Sequence, residues 1–205
     1  YHSAKSFRPE HEFVSGPHRF CSHVIFGSHG FYGVTDATLP RDEGWQFLVS
    51  GRALERAETT ARIVDIEYHK LLDSTSSLAQ PDNHQWMAVL KSVAAYEIYR
   101  RVYHSRIEPE RVAELLILHP KHPRSIRFNI AALQFALRAV SGSPSHHYAT
   151  EAERLTCKLH DTLVYDRIED IFARGLHDFL KDLQQTCRLI GDNIARRYFY
   201  YVGVA

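Results

Sequence analysis

The stretch RDEGWQFLVSGRALERAETTARIVDIEYH, Arg41 to His69, constrains this chain more than any other. It contains no proline. Its apolar positions return at steps of three and four: Trp45, Leu48, Gly51, Leu54, Ala57, Ala61, Val64, Tyr68 and then Leu71. That spacing draws one stripe down a helix and does not fit the two-residue alternation of a strand. One long helix over about 41–73 follows, roughly 50 Å in length at a rise of 1.5 Å per residue. A rod of that length needs other elements along it to bury its stripe.

The rest of the chain supplies them. Residues 1–16 are polar, contain Pro9 and Gly16, and read as a loose N-terminal arm. Pro17 suits the first turn of a helix in which Phe20, Val24, Phe26, Phe31 and Val34 make a loose apolar pattern. Gly27, Gly30 and Gly33 weaken that helix by up to about 1 kcal/mol each relative to Ala, and would let another backbone come close. After the loop DSTSSLAQPDN, a helix over about 83–105 carries Trp86, Leu90, Val93, Ile98 and Val102 on one side. Pro109 opens the short helix PERVAELLIL, and HPKHP ends it. Pro123 opens the next, with Ile126, Ile130, Leu133, Leu137 and Val140 on one face, and SGSPS closes it. From about 148 to 201 the pattern is helical with a break near Tyr165 and Asp166. The expected fold is therefore all-α, a bundle of six or seven helices with the long one at its centre, and 17–205 as a single domain.

Composition excludes several classes. A net charge of +1 with 24% charged residues is not the footprint of a nucleic-acid binder, which needs a basic excess or stripe. No apolar run approaches the roughly 18 to 20 residues of a membrane span, and no signal-peptide pattern is present. Three cysteines, Cys21, Cys157 and Cys187, form neither a CxxC pair nor an even framework, which points to a reduced, cytoplasmic setting. Cys21, in an aromatic stretch, is expected to be a packed cysteine and not a nucleophile.

Fourteen histidines prompt a search for metal ligands. Cys21, His23 and His29 lack a recognised zinc spacing, His119 and His122 are separated by Pro120, and neither HExxH nor Glu-x-x-His occurs. No phosphate-binding glycine motif and no GxSxG elbow is present. The sequence is accordingly read as having no metal site and no cofactor.

The long helix is also densely charged. Arg52, Glu55, Glu58 or Thr59, Arg62, Asp65 and His69 fall on one face beside the apolar stripe. Three arrangements fit: a solvated face laced with weak ion pairs such as Glu58–Arg62, an ionic network buried in the bundle, or a site for acid/base or metal chemistry. Glu55 and Asp65 are the candidate catalytic acids. Ten residues apart, they lie about 15 Å from each other on a helix, so they cannot act as a pair and each needs a partner from another helix. Asp42 and Glu43 need no such role, because carboxylates suit the positive end of a helix.

The block PHRFCSHVIFGSHGFYGVTDATLPRDEGWQFLVSGRALERAETTARIVDIEYHKLL closely resembles the alpha-E domain family of bacterial helical proteins. The resemblance is carried by Pro17, His18, Arg19 and Phe20, by Ser28, His29, Phe31 and Gly33, and by Thr35 and Asp36. It continues through Arg41, Asp42, Glu43, Gly44 and Trp45. Gly51, Arg52, Glu55, Arg56 and Ala57 then stand where the family has G-R-x-x-E-R-A, followed by Thr60, Arg62, Asp65 and Tyr68. HPRSIRFNI and LIGDNIARRYF are similar to later family segments. Since family members typically carry a second helix of the G-R-x-x-E-R-A kind and this chain, starting at Tyr1, has one, it is expected to lack the N-terminal part of the full domain.

The resemblance implies a setting in peptide ligation, tagging or modification, beside a circularly permuted ATP-grasp protein and a transglutaminase-like protein. Two functions follow as expectations. One is a non-catalytic helical partner of the ATP-grasp protein, with Arg41, Asp42, Glu43, Trp45, Gly51, Arg52, Glu55, Arg56, Arg62 and Asp65 as an ordered motif network. The other is an enzyme in which Glu55 is the acid or base and Arg52, Arg56 or Arg62 binds a peptide carboxylate through its bidentate fork. A homo-oligomer is a further possibility, with eleven tyrosines to supply an interface, and the tail from Tyr198 to Tyr201 is expected to pack on a partner or an additional segment.

Overall fold

The structure is a computed structural model that describes residues 17–74, 83–144 and 147–200. The expected N-terminal arm, and most of the loop after the long helix, lie outside the described residues. Nine helices and no strand occur among those described: α1 (Pro17–Thr38), α2 (Glu43–Ser74), α3 (Asn83–Ser92), α4 (Tyr96–Tyr103), α5 (Pro109–Leu118), α6 (Ile126–Ser141), α7 (Glu151–Tyr165), α8 (Ile168–Arg174) and α9 (Leu176–Tyr198). The chain falls into two compact units, Tyr1–Trp45 and Gln46–Ala205. None of the described helices is long and apolar enough to cross a membrane.

In the first unit, α1 contains no buried residue. Phe20, Val24, Gly27, Phe31 and Val34 recur at alternating steps of four and three, the spacing of a heptad seam. Val24, Phe26, Phe31 and Val34 are exposed, and a Cβ at Gly27, Gly30 or Gly33 would meet nothing within 4 Å. Cys21 is exposed as well, so it is not the packed cysteine expected from its aromatic neighbours. Those neighbours share its helix and leave the cysteine exposed.

The start of α2 is built by local chemistry. Asp42 Oδ1 accepts from the Trp45 backbone N–H at 3.3 Å, capping one of the donors that the first turn leaves unpaired. The Arg41 guanidinium folds back to 3.6 Å from the Trp45 ring centroid and donates to the carbonyl and carboxylate of Asp36. These contacts are exposed, so each contributes at most about 1 kcal/mol.

In the second unit the buried face of α2 keeps Ala57, Ala61 and Val64 of the expected line and departs from it nearer the N-terminus. Ser50, Ala53, Ala57, Thr60, Ala61 and Val64 are buried, whereas Gly51 is exposed and Leu48, Leu54 and Tyr68 are half-buried. Small residues on the covered face bring other helices close. Helix α9 runs antiparallel along α2: Phe47 meets the rings of Tyr198 and Phe199 edge-on at 5.1 Å, and Leu54 lies 4.0 Å from where a Gly191 side chain would begin. Tyr198 thus packs within the chain, while Phe199 and Tyr200 stay exposed and Tyr201 lies outside the described residues. The Thr60 hydroxyl ties α2 to the approach to α6 by donating to the Arg124 carbonyl at 2.9 Å.

Two breaks explain why nine helices replace the seven of the periodic pattern. Ala94, at φ +53°, splits the expected 83–105 helix into α3 and α4, and Gly175, at φ +97°, splits α8 from α9. The first break puts an alanine in the left-handed region at a cost of about 1–2 kcal/mol. Burial of Val93, Ala95 and Tyr99 offsets it. Tyr99 is fully buried, and its hydroxyl donates to the Arg106 carbonyl at 2.8 Å while accepting from the Glu108 N–H at 3.0 Å. That clasp holds the turn into α5.

Helices α5, α6, α7 and α9 form the densest part of the core, with Leu115, Leu116, Ile117, Ile130, Leu133, Leu163 and Leu180 fully enclosed. Each such side chain contributes about 1.5–3 kcal/mol. Local signals set the helix ends. Ser125, two residues after Pro123, caps α6 by accepting from Phe128, and Gly142 closes it at φ +68°. Thr150 and Glu153 cap α7 reciprocally: the threonine hydroxyl accepts from the Glu153 N–H, and the buried glutamate accepts from the Ala149 N–H.

Candidate functional site

The charged face of α2 meets α9, and the two carboxylates that matter there are Glu58 and Asp65. Glu58 lies one turn before Arg62 and accepts from its guanidinium at 2.9 Å, the i,i+4 pair expected from sequence. It also accepts from Arg188 of α9 at 3.4 Å. Its charge reaches Cys187, whose thiol is pushed up to about 12, first by burial and then by Glu58.

Glu55 faces outward. It is exposed, and the Thr59 hydroxyl donates to it at 3.2 Å. Arg52 and Arg56 are half-buried and each takes part in further interactions of its own, while Arg62 is committed to Glu58. Arg41, Asp42, Glu43 and Trp45 are grouped at the start of α2, so the motif residues are spread along the helix and not gathered at one point.

Asp65 has the cross-helix partner that an acid at this position needs. Its Oδ1 lies 2.8 Å from Nδ1 of His177, which stands in the first turn of α9 directly after the Gly175 break. His69, one turn further along α2, places Nε2 2.8 Å from the same His177 nitrogen and 3.9 Å from Asp65. Asp65 and His69 share a face at i,i+4 and were visible as neighbours in the sequence. His177 was missed, since nothing in the local pattern links residues 108 positions apart.

A second polar region also escaped sequence reading. A cleft of about 480 Å³ is lined by Tyr103, Glu114, His119, Arg127, Asp166 and Glu169 among others. The Tyr103 hydroxyl donates to Glu114 at 2.8 Å, and burial followed by that bond raises the phenol's pKa. Burial, then the positive charges of Lys121 and Arg127, lower that of His119. His122, in the same HPKHP turn, is buried, and among the described residues its Nε2 has no hydrogen-bond partner. Burial first, then His119 and Arg124, hold it toward the neutral form.

Comparison with curated proteins finds no match, and comparison with solved structures finds none either. A family comparison does match. The Alpha-E family, described as a predicted alpha-helical domain with a conserved ER motif, covers residues 1–199. The Glu-Arg dipeptide occurs at Glu55-Arg56, Glu110-Arg111 and Glu153-Arg154, and the first lies in G-R-x-x-E-R-A. With a wholly helical set of described elements and a match along nearly its whole length, this chain belongs to the Alpha-E family.

Proposed function

We propose that this chain acts as a helical docking partner in an ATP-grasp-type peptide ligation or modification system, in the cytoplasm, with a circularly permuted ATP-grasp protein as its main partner and a transglutaminase-like protein as a second. One observation carries the docking half of this reading: α1 is 22 residues long, has no buried residue and exposes Val24, Phe31 and Val34 along a heptad seam. Exposed apolar helix faces are read by grooves through anchors at steps of three, four and seven, and Val24, Phe31 and Val34 fall at steps of seven and three. The ATP-grasp half rests on the family resemblance of the motif block.

The surroundings of Glu55 favour a partner over an enzyme. A general acid or base is usually tuned by burial and sits in a recess that holds its substrate. Glu55 is exposed, and five clefts of about 310 to 490 Å³ are lined by other residues.

The test is affinity capture of the full-length protein from its own host, with and without ATP, read by mass spectrometry. Recovery of an ATP-grasp protein, lost with Val24→Asp/Phe31→Asp, supports the reading. Recovery of the bait alone, or of the ATP-grasp protein equally with the variant, counts against it.

A further inference from the structure

Protons alone satisfy the Asp65–His69–His177 cluster poorly. His177 Nδ1 lies 2.8 Å from both Asp65 Oδ1 and His69 Nε2, and those two atoms are 3.9 Å apart, so the triangle is nearly right-angled at Nδ1. A neutral ring nitrogen offers either one N–H or one lone pair. If Nδ1 carries the hydrogen, that single hydrogen has to serve two acceptors at right angles, and at least one contact departs far from linear. If Nδ1 is bare, it accepts from His69 but then faces the Asp65 carboxylate lone pair to lone pair at 2.8 Å.

A cation relieves both conflicts. The midpoint of the 3.9 Å side is about 2.0 Å from all three atoms, the usual length of zinc–imidazole and zinc–carboxylate bonds. Opening the two short sides and closing the long one by about half an ångström each makes the tetrahedral face that zinc prefers. We propose that Asp65, His69 and His177 form a binding site for a divalent transition-metal ion of the zinc class, with its remaining coordination positions open to solvent.

The framework suits that role. Asp65 and His69 are one turn apart on α2, and His177 is delivered by the turn at Gly175. Beside them the rings of Tyr68 and Phe172 meet edge-on at 5.7 Å and join α2 to α8. The Asp65 side chain is 15% exposed, whereas His69 and His177 are 48% and 41% exposed, so one ligand is anchored and the outer side is reachable by water or a substrate. The positive end of α9 opposes a cation at His177, and Asp178 in the same first turn counters it. Two imidazoles and one carboxylate favour zinc and its neighbours over magnesium or calcium, which prefer oxygen donors. The site is independent of the docking reading, because an isolated chain can bind metal whether or not a partner exists.

The full chain is titrated with Zn²⁺ against a chromogenic chelator, with Mg²⁺ as control. The expected result is one tight equivalent of zinc and none of magnesium, with Asp65→Asn, His69→Ala and His177→Ala each weakening it about tenfold or more. Absence of a tight equivalent, or its survival in His69→Ala/His177→Ala, overturns the proposal. A second measurement avoids variants that fail to fold: carbethoxylation of histidines in the unaltered protein, mapped by peptide mass spectrometry. Zinc should shield His69 and His177 while the exposed His104 still reacts. Equal labelling of His69 and His177 with and without zinc overturns the site.

Discussion

Helices α1 and α6 look alike in sequence and behave oppositely in the fold. Both carry apolar residues at steps of three and four. In α6, Ile126, Ile130, Leu133 and Leu137 are all buried; in α1, 22 residues long, nothing is. Apolar periodicity therefore reports that a helix has a seam and is silent on what covers it. The capping differs too: α6 has Ser125 and Gly142 at its ends, whereas α1 carries Gly27, Gly30 and Gly33 inside the helix. A helix with interior glycines and exposed Val24, Phe31 and Val34 draws little stability from propensity.

The contrast between exposed and enclosed segments can be broken most sharply with thiol chemistry. Cys21 on α1 is exposed, while Cys187 on α9 is buried with its thiol pushed up to about 12. Only the thiolate reacts, and a thiol pushed up to about 12 is almost wholly protonated near pH 8. Cys21 should be alkylated in the native protein and Cys187 only after unfolding; comparable rates by mass spectrometry would contradict the burial of α9. A thiol whose folded pKa lies above its unfolded value stabilises the fold fully below about pH 9, and this contribution drains away as pH rises toward 12.

Truncation comes next in size. Leu133→Ala should cost about 2–5 kcal/mol in urea unfolding, because it empties an enclosed site. Phe31→Ala should change stability by no more than about 0.5 kcal/mol. A comparable loss at both positions would mean that α1 is covered after all.

Smaller still is the glycine test. Gly51 sits in the interior of α2 with open space where a Cβ would stand, so Gly51→Ala should stabilise the chain by about 1 kcal/mol. Gly27→Ala, on the α1 seam itself, has the same freedom in the isolated chain, and should weaken capture of a partner that packs against that seam. If Gly27→Ala leaves capture unchanged, the seam is not the contact.

The least effect is expected at the ion pairs. Glu58→Gln removes contacts to Arg62 and Arg188, both more than half exposed, and should cost under about 1 kcal/mol, less at high salt. A larger loss in thermal unfolding would show that the α2–α9 crossing depends on charge more than on its apolar contacts.

The helical class and the long α2 were legible because one helical period from Trp45 to Leu71 leaves no competing reading. The break at Ala94 was not. Val93-Ala94-Ala95 holds no proline or glycine, and alanine is the best helix former, so only the packing around Tyr99 imposes the turn. Gly175 could have been read as a stop, yet the apolar pattern runs straight through it. At the candidate site, Glu58–Arg62 and the Asp65–His69 half were legible from local spacing. Arg188 and His177 were not, since they come from a helix more than a hundred residues away whose register against α2 depends on tertiary packing.

The Tyr99 clasp bears on how this chain meets a protease. Residues 104 to 108 form an exposed connection containing Arg106, a site that trypsin should favour on sequence alone. The carbonyl it would have to attack is held by a fully buried phenol, and the next turn is held by the same oxygen. Cleavage after Arg106 therefore requires α4 to let go of the core, and its rate would follow the opening of that whole corner and not the mobility of a loop.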